Sequence, residues 1–135
     1  MDPSTEPPRA SMNQRRGLMR LVSATRYSLN GLGTAWRSEA AFRQEAVPAM
    51  VLLPAAFWLG TNVVERVMLA GTVLLVLIVE LLNTAVEYTV DRIGKDRHSL
   101  SGHAKDMGSA AVMLSLILWA LAWGGVAWAR FFPGA

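Results

Sequence analysis

The chain has 135 residues, enough for one domain, and 53% of them are hydrophobic, more apolar surface than a soluble core of this size needs. There are no cysteines, which excludes disulfides and thiolate metal sites. The formal net charge is +3 with a pI near 10.0 and a mean hydropathy of +0.31, and the location of the basic excess says more than its size.

In chain order, Met1 to Gly17 holds Pro3, Pro7, Pro8 and several polar residues and reads as a disordered tail. From Leu18, the residues Leu18, Leu21, Val22, Thr25, Leu29, Leu32 and Trp36 recur at helical spacing, with Arg16, Arg20, Ser23, Arg26 and Asn30 between them. A basic amphipathic helix over about 18–36 lying on a membrane surface is expected; a solvated helix packed on a partner is the alternative. Gly31 and Gly33 should loosen its second half. A first span over about 40–60 contains Pro48 and Pro54 and reaches membrane length only if it starts near Glu39, with Arg43, Gln44 and Glu45 at its polar end.

Thr61-Asn62-Val63-Val64-Glu65 reads as a helix start, with Asn62 as cap and Glu65 at the capping-box position. The helix that follows, Val63 to Ile93, should be about 46 Å long, longer than a hydrocarbon core of about 30 Å. Its first twenty or so residues end near Leu82. Glu80 therefore sits near the polar boundary, with Glu87 and Asp91 beyond it. A polar loop over Gly94 to Ser101 follows, with His98 and His103 read as loop residues. The third span covers about 106–130, since Met107 to Ala129 carries no charge.

Eleven of the thirteen Lys and Arg residues precede the first span or lie between the second and third, leaving Arg66 and Arg130 on the other side. By the positive-inside rule the N-terminus and second loop are cytoplasmic. No cleavable signal is expected before the first span, where the apolar run starts too far in and lacks a small-residue cleavage site. Trp36, Trp58, Trp119, Trp123 and Trp128 fit interfacial or packing roles.

The stretch from Val79 to Asp91 carries the chemistry. It prolongs an apolar run, yet holds Glu80, Asn83, Glu87 and Asp91. The three acids are spaced i, i+7 and i+11, on one helical face. Ionisable groups in or against a membrane cost about 2.5–3.5 kcal/mol each at a helix centre, so this face addresses a polar site rather than lipid. Carboxylates hold Mg²⁺ together with substrate phosphates. Lys105 is a point charge suited to phosphate, and a remaining carboxylate is placed to accept a hydroxyl proton. Glu39 alone reads as a helix-cap acid, Asp91-Arg92 as a surface pair, and Lys105-Asp106 as the flank and cap of the third span. Taken together, the residues point to phosphoryl transfer at a membrane surface.

Four blocks in register, Glu39 to Glu45, Val79 to Glu87, Val90 to Gly94 and Ala104 to Ala111, resemble the small bacterial integral-membrane diacylglycerol kinases. The resemblance runs from about Arg20 to the C-terminus. It implies an all-α membrane protein of three transmembrane helices and an N-terminal amphipathic surface helix, assembled as a homotrimeric bundle in the bacterial inner membrane. It implies Mg²⁺- and ATP-dependent phosphorylation of diacylglycerol to phosphatidic acid on the cytoplasmic side.

Carried onto matching positions, the resemblance makes Glu80 the general base and Asn83 a catalytic orienting residue. Glu39 and Glu87 bind the metal with ATP. Arg20, Tyr27, Lys105, Asp106 and the loop residues Asp96, Arg97 and His98 contact the nucleotide, Arg97 standing where the family commonly has an aromatic. The lipid side is lined by Arg20, Ala24, Thr25, Ser28, Leu29 and Trp36, then by Ala41, Phe42, Arg43, Gln44 and Glu45, with Arg66, Glu80 and Ser109. Undecaprenol kinase shares the acidic motif and is the competing enzyme. A non-catalytic membrane adaptor is the competing class, although an adaptor has no need of Glu80, Asn83 and Glu87 on a span.

Overall fold

The structure is a computed structural model that describes residues 9–94, 96 and 98–134, with side chains described from residue 17 onward. It is all-helical: α1 (Arg9–Ser38), α2 (Ala40–Leu59), α3 (Val63–Ile93) and α4 (Ser99–Phe131). The chain divides into two compact units, residues 1–37 and 38–135.

The first unit is α1. It begins at Arg9, inside the stretch expected to be tail, because no residue after Pro8 breaks a helix; residues 1–8 lie outside the described residues. It runs unbroken through Gly31 and Gly33, against the expected loosening. Leu18, Leu21, Val22, Leu29 and Leu32 are all exposed. Thr25 and Ser28 each donate their hydroxyl to the carbonyl one turn back, Leu21 O and Ala24 O, both at 3.0 Å. The polar side chains on this stripe are thereby satisfied within the helix.

In the second unit α3 is the central helix, packing along α4 and along α2, while α2 and α4 touch little. Both neighbours run antiparallel to it. Along the α3–α4 seam Leu69 meets Trp123, Asn83 meets Gly108, and Asp91 meets Lys105. Along the α2–α3 seam Glu45 lies near Glu80, and Glu39 meets Tyr88.

The helix bounds follow from their caps. Asn62 Oδ1 accepts from Glu65 N at 3.0 Å, which starts α3 at Val63 as expected. Glu65 Oε2 turns back one residue further than a capping box, accepting from Thr61 N and Thr61 Oγ1, each at 2.7 Å. The start of α4 corrects the expected loop. His98 Nδ1 accepts from Leu100 N at 3.2 Å and caps the helix. Ser101, His103 and Asp106 are therefore helical, and Asp106 is not the cap. Pro48 and Pro54 stay inside α2, as packed neighbouring helices in an apolar setting allow.

The tightest core lies at the end remote from the acids. Ala56, Leu59 and Leu69 are buried there, with Ala70, Trp123, Val126 and Ala127 against them. Trp123 Nε1 donates to Leu69 O at 3.2 Å and Arg130 Nη1 to Leu59 O at 3.1 Å. The Arg130 guanidinium also stands over the Trp58 ring at 5.3 Å. Arg66 Nε donates to Gly60 O at 3.1 Å. The last carbonyls of α2, which have no helical partner, thus receive two arginines.

Among the described residues, α3 and α4 are long and apolar enough to cross a membrane. With 20 residues, α2 carries Arg43 and Glu45 in its first two turns and is not among them.

Candidate functional site

Four carboxylates come together at the other end of the unit. Glu80, on α3, is 5% exposed and feels the charges of Glu87 and Glu39, while Glu45 feels that of Glu80. Glu80 and Glu87 share one face of α3 by their spacing. Glu39 and Glu45 reach that face because α2 runs antiparallel along it, its N-cap being Glu39 itself. The cluster thus forms within one chain.

Each acid at its rim is held by a neutral donor. The Tyr88 hydroxyl donates to Glu39 Oε1 in a short hydrogen bond, and Asn83 Nδ2 donates to Glu87 Oε1 at 3.2 Å. The other end of that amide, Asn83 Oδ1, is buried with no partner among the protein atoms. It faces Gly108 on α4, where a Cβ would overlap it. Only glycine lets α4 approach Asn83 this closely.

One turn further out, Lys105 Nζ donates to Asp91 Oδ1 at 2.6 Å in a largely exposed pair. Asp91 thus pairs across to α4. Both residues border an open groove of about 590 Å³, together with Asp96, His98 and Ser101. That volume falls within the range of roughly 300–1,000 Å³ usual for small-molecule sites. The groove gathers three of the expected nucleotide contacts, Asp96, His98 and Lys105; Arg97 lies outside the described residues.

Some of the other expected site residues of the second unit lie apart from the acid cluster or face outward. Asp106 is exposed, since adjacent helical residues point about 100° apart and Lys105 takes the side facing α3. Arg66 is occupied at the far end, fourteen residues from Glu80, or about 21 Å along the helix. Phe42 is buried at 5% exposure and packs inside the unit. Ala41 and Ser109 are exposed, and the exposed Gln44 lines, with Glu45, a second cavity between α2, α3 and α4. Arg20, Ala24, Tyr27, Thr25, Ser28 and Leu29 are exposed on α1. Among the described residues, no three Asp, Glu or His side chains converge closely enough to hold a metal ion by themselves.

Tyr88 and Gly108 were not singled out by the sequence. Tyr88 follows Glu87 directly and Gly108 sits inside the 104–111 block, but neither has a periodicity that marks it. Their roles exist only through the pairing of helices.

The buried acid Glu80, the Asn83 amide held to Glu87 and the polar groove are an arrangement suited to moving a phosphoryl group onto a membrane-borne hydroxyl, the work of a lipid kinase. Comparison with known proteins agrees. The profile of the family "Prokaryotic diacylglycerol kinase" matches residues 26–127. The diacylglycerol kinase of Escherichia coli K12 is 47% identical over 119 residues, 88% of this chain and 98% of that one. The Haemophilus influenzae diacylglycerol kinase is 48% identical over 115 residues, 85% of this chain and 98% of that one. That of Pseudomonas aeruginosa is 49% identical over 110 residues, 82% and 89% respectively. The chain belongs to the prokaryotic diacylglycerol kinase family.

The Asn83–Gly108 contact generates a prediction. In Gly108→Ala the new methyl displaces the Asn83 amide and breaks its bond to Glu87. Misplacing a positioned group by about 1 Å costs roughly 10²-fold in rate, so turnover should fall by about that much. Asn83→Ala removes the obstacle, so Gly108→Ala added to it should cost little more. Full turnover in the single variant would remove Asn83 from the site.

Proposed function

We propose that the protein transfers the γ-phosphoryl group of ATP to the free hydroxyl of diacylglycerol, giving phosphatidic acid and ADP at the cytoplasmic face of a bacterial inner membrane. The observation that carries this reading is Glu80, a carboxylate 5% exposed at the end of the long apolar run of α3. Its Oε atom takes the hydroxyl proton as the hydroxyl oxygen attacks phosphorus and the bond to the ADP oxygen breaks. Asn83, with its unpartnered Oδ1, orients the reacting groups. Asp96, His98 and Lys105 border the groove that would take the nucleotide, Lys105 as the point charge on phosphate.

Glu39 and Glu87 are assigned to Mg²⁺. Carboxylate oxygens are the donors this cation prefers, and it binds through one or two of them plus substrate phosphates. A pair therefore fits without a third protein ligand. Bound there, the ion would neutralise phosphate charge. The two residues also set the charge around Glu80.

On this reading α2, α3 and α4 are three spans, with α2 entering the membrane beyond Glu45. The basic residues then lie mostly on the cytoplasmic side, and α1 lies on that surface through its exposed apolar stripe. A homotrimer would cover the apolar side chains that α4 leaves exposed, among them Leu114, Ile117, Leu118 and Leu121.

Three outcomes are expected. In Glu80→Gln the shape is kept and the proton acceptor lost, so turnover of diacylglycerol should collapse by at least about 10²-fold while the oligomer persists. Substantial turnover in a pure sample would exclude Glu80 as base. Undecaprenol, offered to the unaltered enzyme in the same assay, should be the poorer acceptor.

Glu87→Gln should raise the Mg²⁺ concentration needed for half-maximal rate and weaken ATP binding. An unchanged Mg²⁺ titration would move the metal elsewhere.

Asp106 points away from its own chain's acids, so a second subunit's site is the place for it. Inactive Glu80→Gln and Asp106→Asn chains, refolded together, should regain part of the activity. Differently tagged chains that co-purify yet stay inactive would confine the site to one chain.

A further inference from the structure

Two tryptophans pack against each other on α4, with ring centroids 6.3 Å apart, but they end differently. Trp123 Nε1 donates to Leu69 O. Trp119 Nε1 is buried and donates to no protein atom. A buried donor without an acceptor is costly, so this one calls for an acceptor supplied from outside.

Trp119 lines a cavity of about 190 Å³ between α2, α3 and α4, whose lining includes the apolar Pro48, Leu52, Val73, Val76 and Leu116 and, toward the start of α2, Gln44. A second orphan lines the same cavity from α2: Glu45 Oε2 is also buried without a partner. Glu45 is the residue that feels the charge of Glu80, so it marks the end of the cavity nearest the reacting group. The antiparallel seam sets Trp119 level with Val73, seven residues or about 10 Å along α3 from Glu80. Helical side chains lean toward their own N-terminus, which on α4 is the direction of Glu80. The cavity is thus mostly apolar, with the Trp119 donor part-way down and the polar Gln44 and Glu45 at the end nearest Glu80.

Resting on the reaction proposed above, we infer that Trp119 is a substrate-positioning residue whose indole N–H donates to an ester carbonyl of the acylglycerol. The chemistry matches along its length. A 1,2-diacylglycerol carries a free hydroxyl for Glu80, an ester carbonyl two glycerol carbons away as acceptor, and acyl chains for the apolar walls. A lipid alcohol without an ester presents nothing to this donor, so the contact would also select among hydroxyl-bearing lipids. Trp123, already bonded to Leu69 O, has no such role.

The test compares a diester, 1,2-dioleoylglycerol, with the diether 1,2-dioleylglycerol, which keeps the hydroxyl and the chains but lacks the carbonyls. The unaltered enzyme should show a kcat/KM for the diether lower by about five- to tenfold, the worth of one ordinary hydrogen bond. Trp119→Phe keeps a ring in the cavity and removes the N–H. It should raise KM for the diester by a similar factor, leave KM for Mg-ATP unchanged, and lose discrimination between the two lipids. Equal discrimination before and after the change overturns the assignment.

A second measurement needs neither turnover nor a variant that folds. In the unaltered protein without ATP, the Trp119 indole N–H resonance should move on adding the diester and stay in place on adding the diether. The same shift with both lipids, or with neither, also overturns it. Absence of any lipid phosphorylation by the unaltered protein would instead refute the reaction, and the resonance would still report on the contact.

Discussion

The structure turns on a carboxylate held where carboxylates are costly. Removing an ion from water carries an effective penalty of several kcal/mol, and Glu80 is nearly buried with Glu39, Glu45 and Glu87 as charged neighbours. Like charges gathered in this way add to the cost rather than offset it. Tyr88 and Asn83 hold Glu39 and Glu87 by neutral hydrogen bonds, which fix positions without cancelling charge. Such a cluster is a poor structural device and a natural receptor for a cation with bound phosphate. This is why a metal–nucleotide reading follows from electrostatics as well as from kinship.

The cost is offset at the opposite end. There Ala56, Leu59 and Leu69 form a closed apolar cluster, Trp123 and Arg130 tie α4 to carbonyls of α3 and α2, and Asn62 caps α3. Every named polar group at that end has a partner. At the acid end Asn83 Oδ1, Glu45 Oε2 and Trp119 Nε1 have none. The second unit therefore divides into a half that holds the helices together and a half that leaves polar atoms for something else. Unsatisfied buried groups are few in proteins and call for a reason; here one sits on each of α2, α3 and α4.

Legibility in the sequence followed the range of the interaction involved. The α3 helix could be read to its first residue because Asn62 and Glu65 act locally, and the convergence of Glu80 and Glu87 could be read because both lie on one helix with fixed periodicity. The start of α4 lies earlier than expected, since the polar residues over Gly94 to Ser101 suggest a loop and the capping role of His98 depends on its own ring nitrogen. The early start of α1 was missed because composition dominated the reading of residues 9–17. Tyr88 and Gly108 were out of reach for a different reason. Each acts on a residue of another helix, and no period within a helix encodes which neighbour it will meet. The family resemblance supplied Glu39, whose membership of the cluster depends on α2 folding back along α3.

The same geometry explains why Lys105 and Asp106, adjacent in sequence, part company in space. On a helix they are turned about 100° from each other. Once Lys105 is committed to Asp91, Asp106 must face outward, on a helix whose only buried residue is Ser115. An exposed acid at the polar end of an exposed apolar helix is ill-suited to lipid and well placed at a junction between chains. If another subunit's α2–α3 edge packs there, Asp106 approaches the mouth of that subunit's acid cluster, and one surface then serves both assembly and catalysis. The exposed apolar face of α4 and the outward turn of Asp106 are, on this view, two consequences of one packing choice made at Gly108, where α4 closes on Asn83 and fixes which side of the helix is left over.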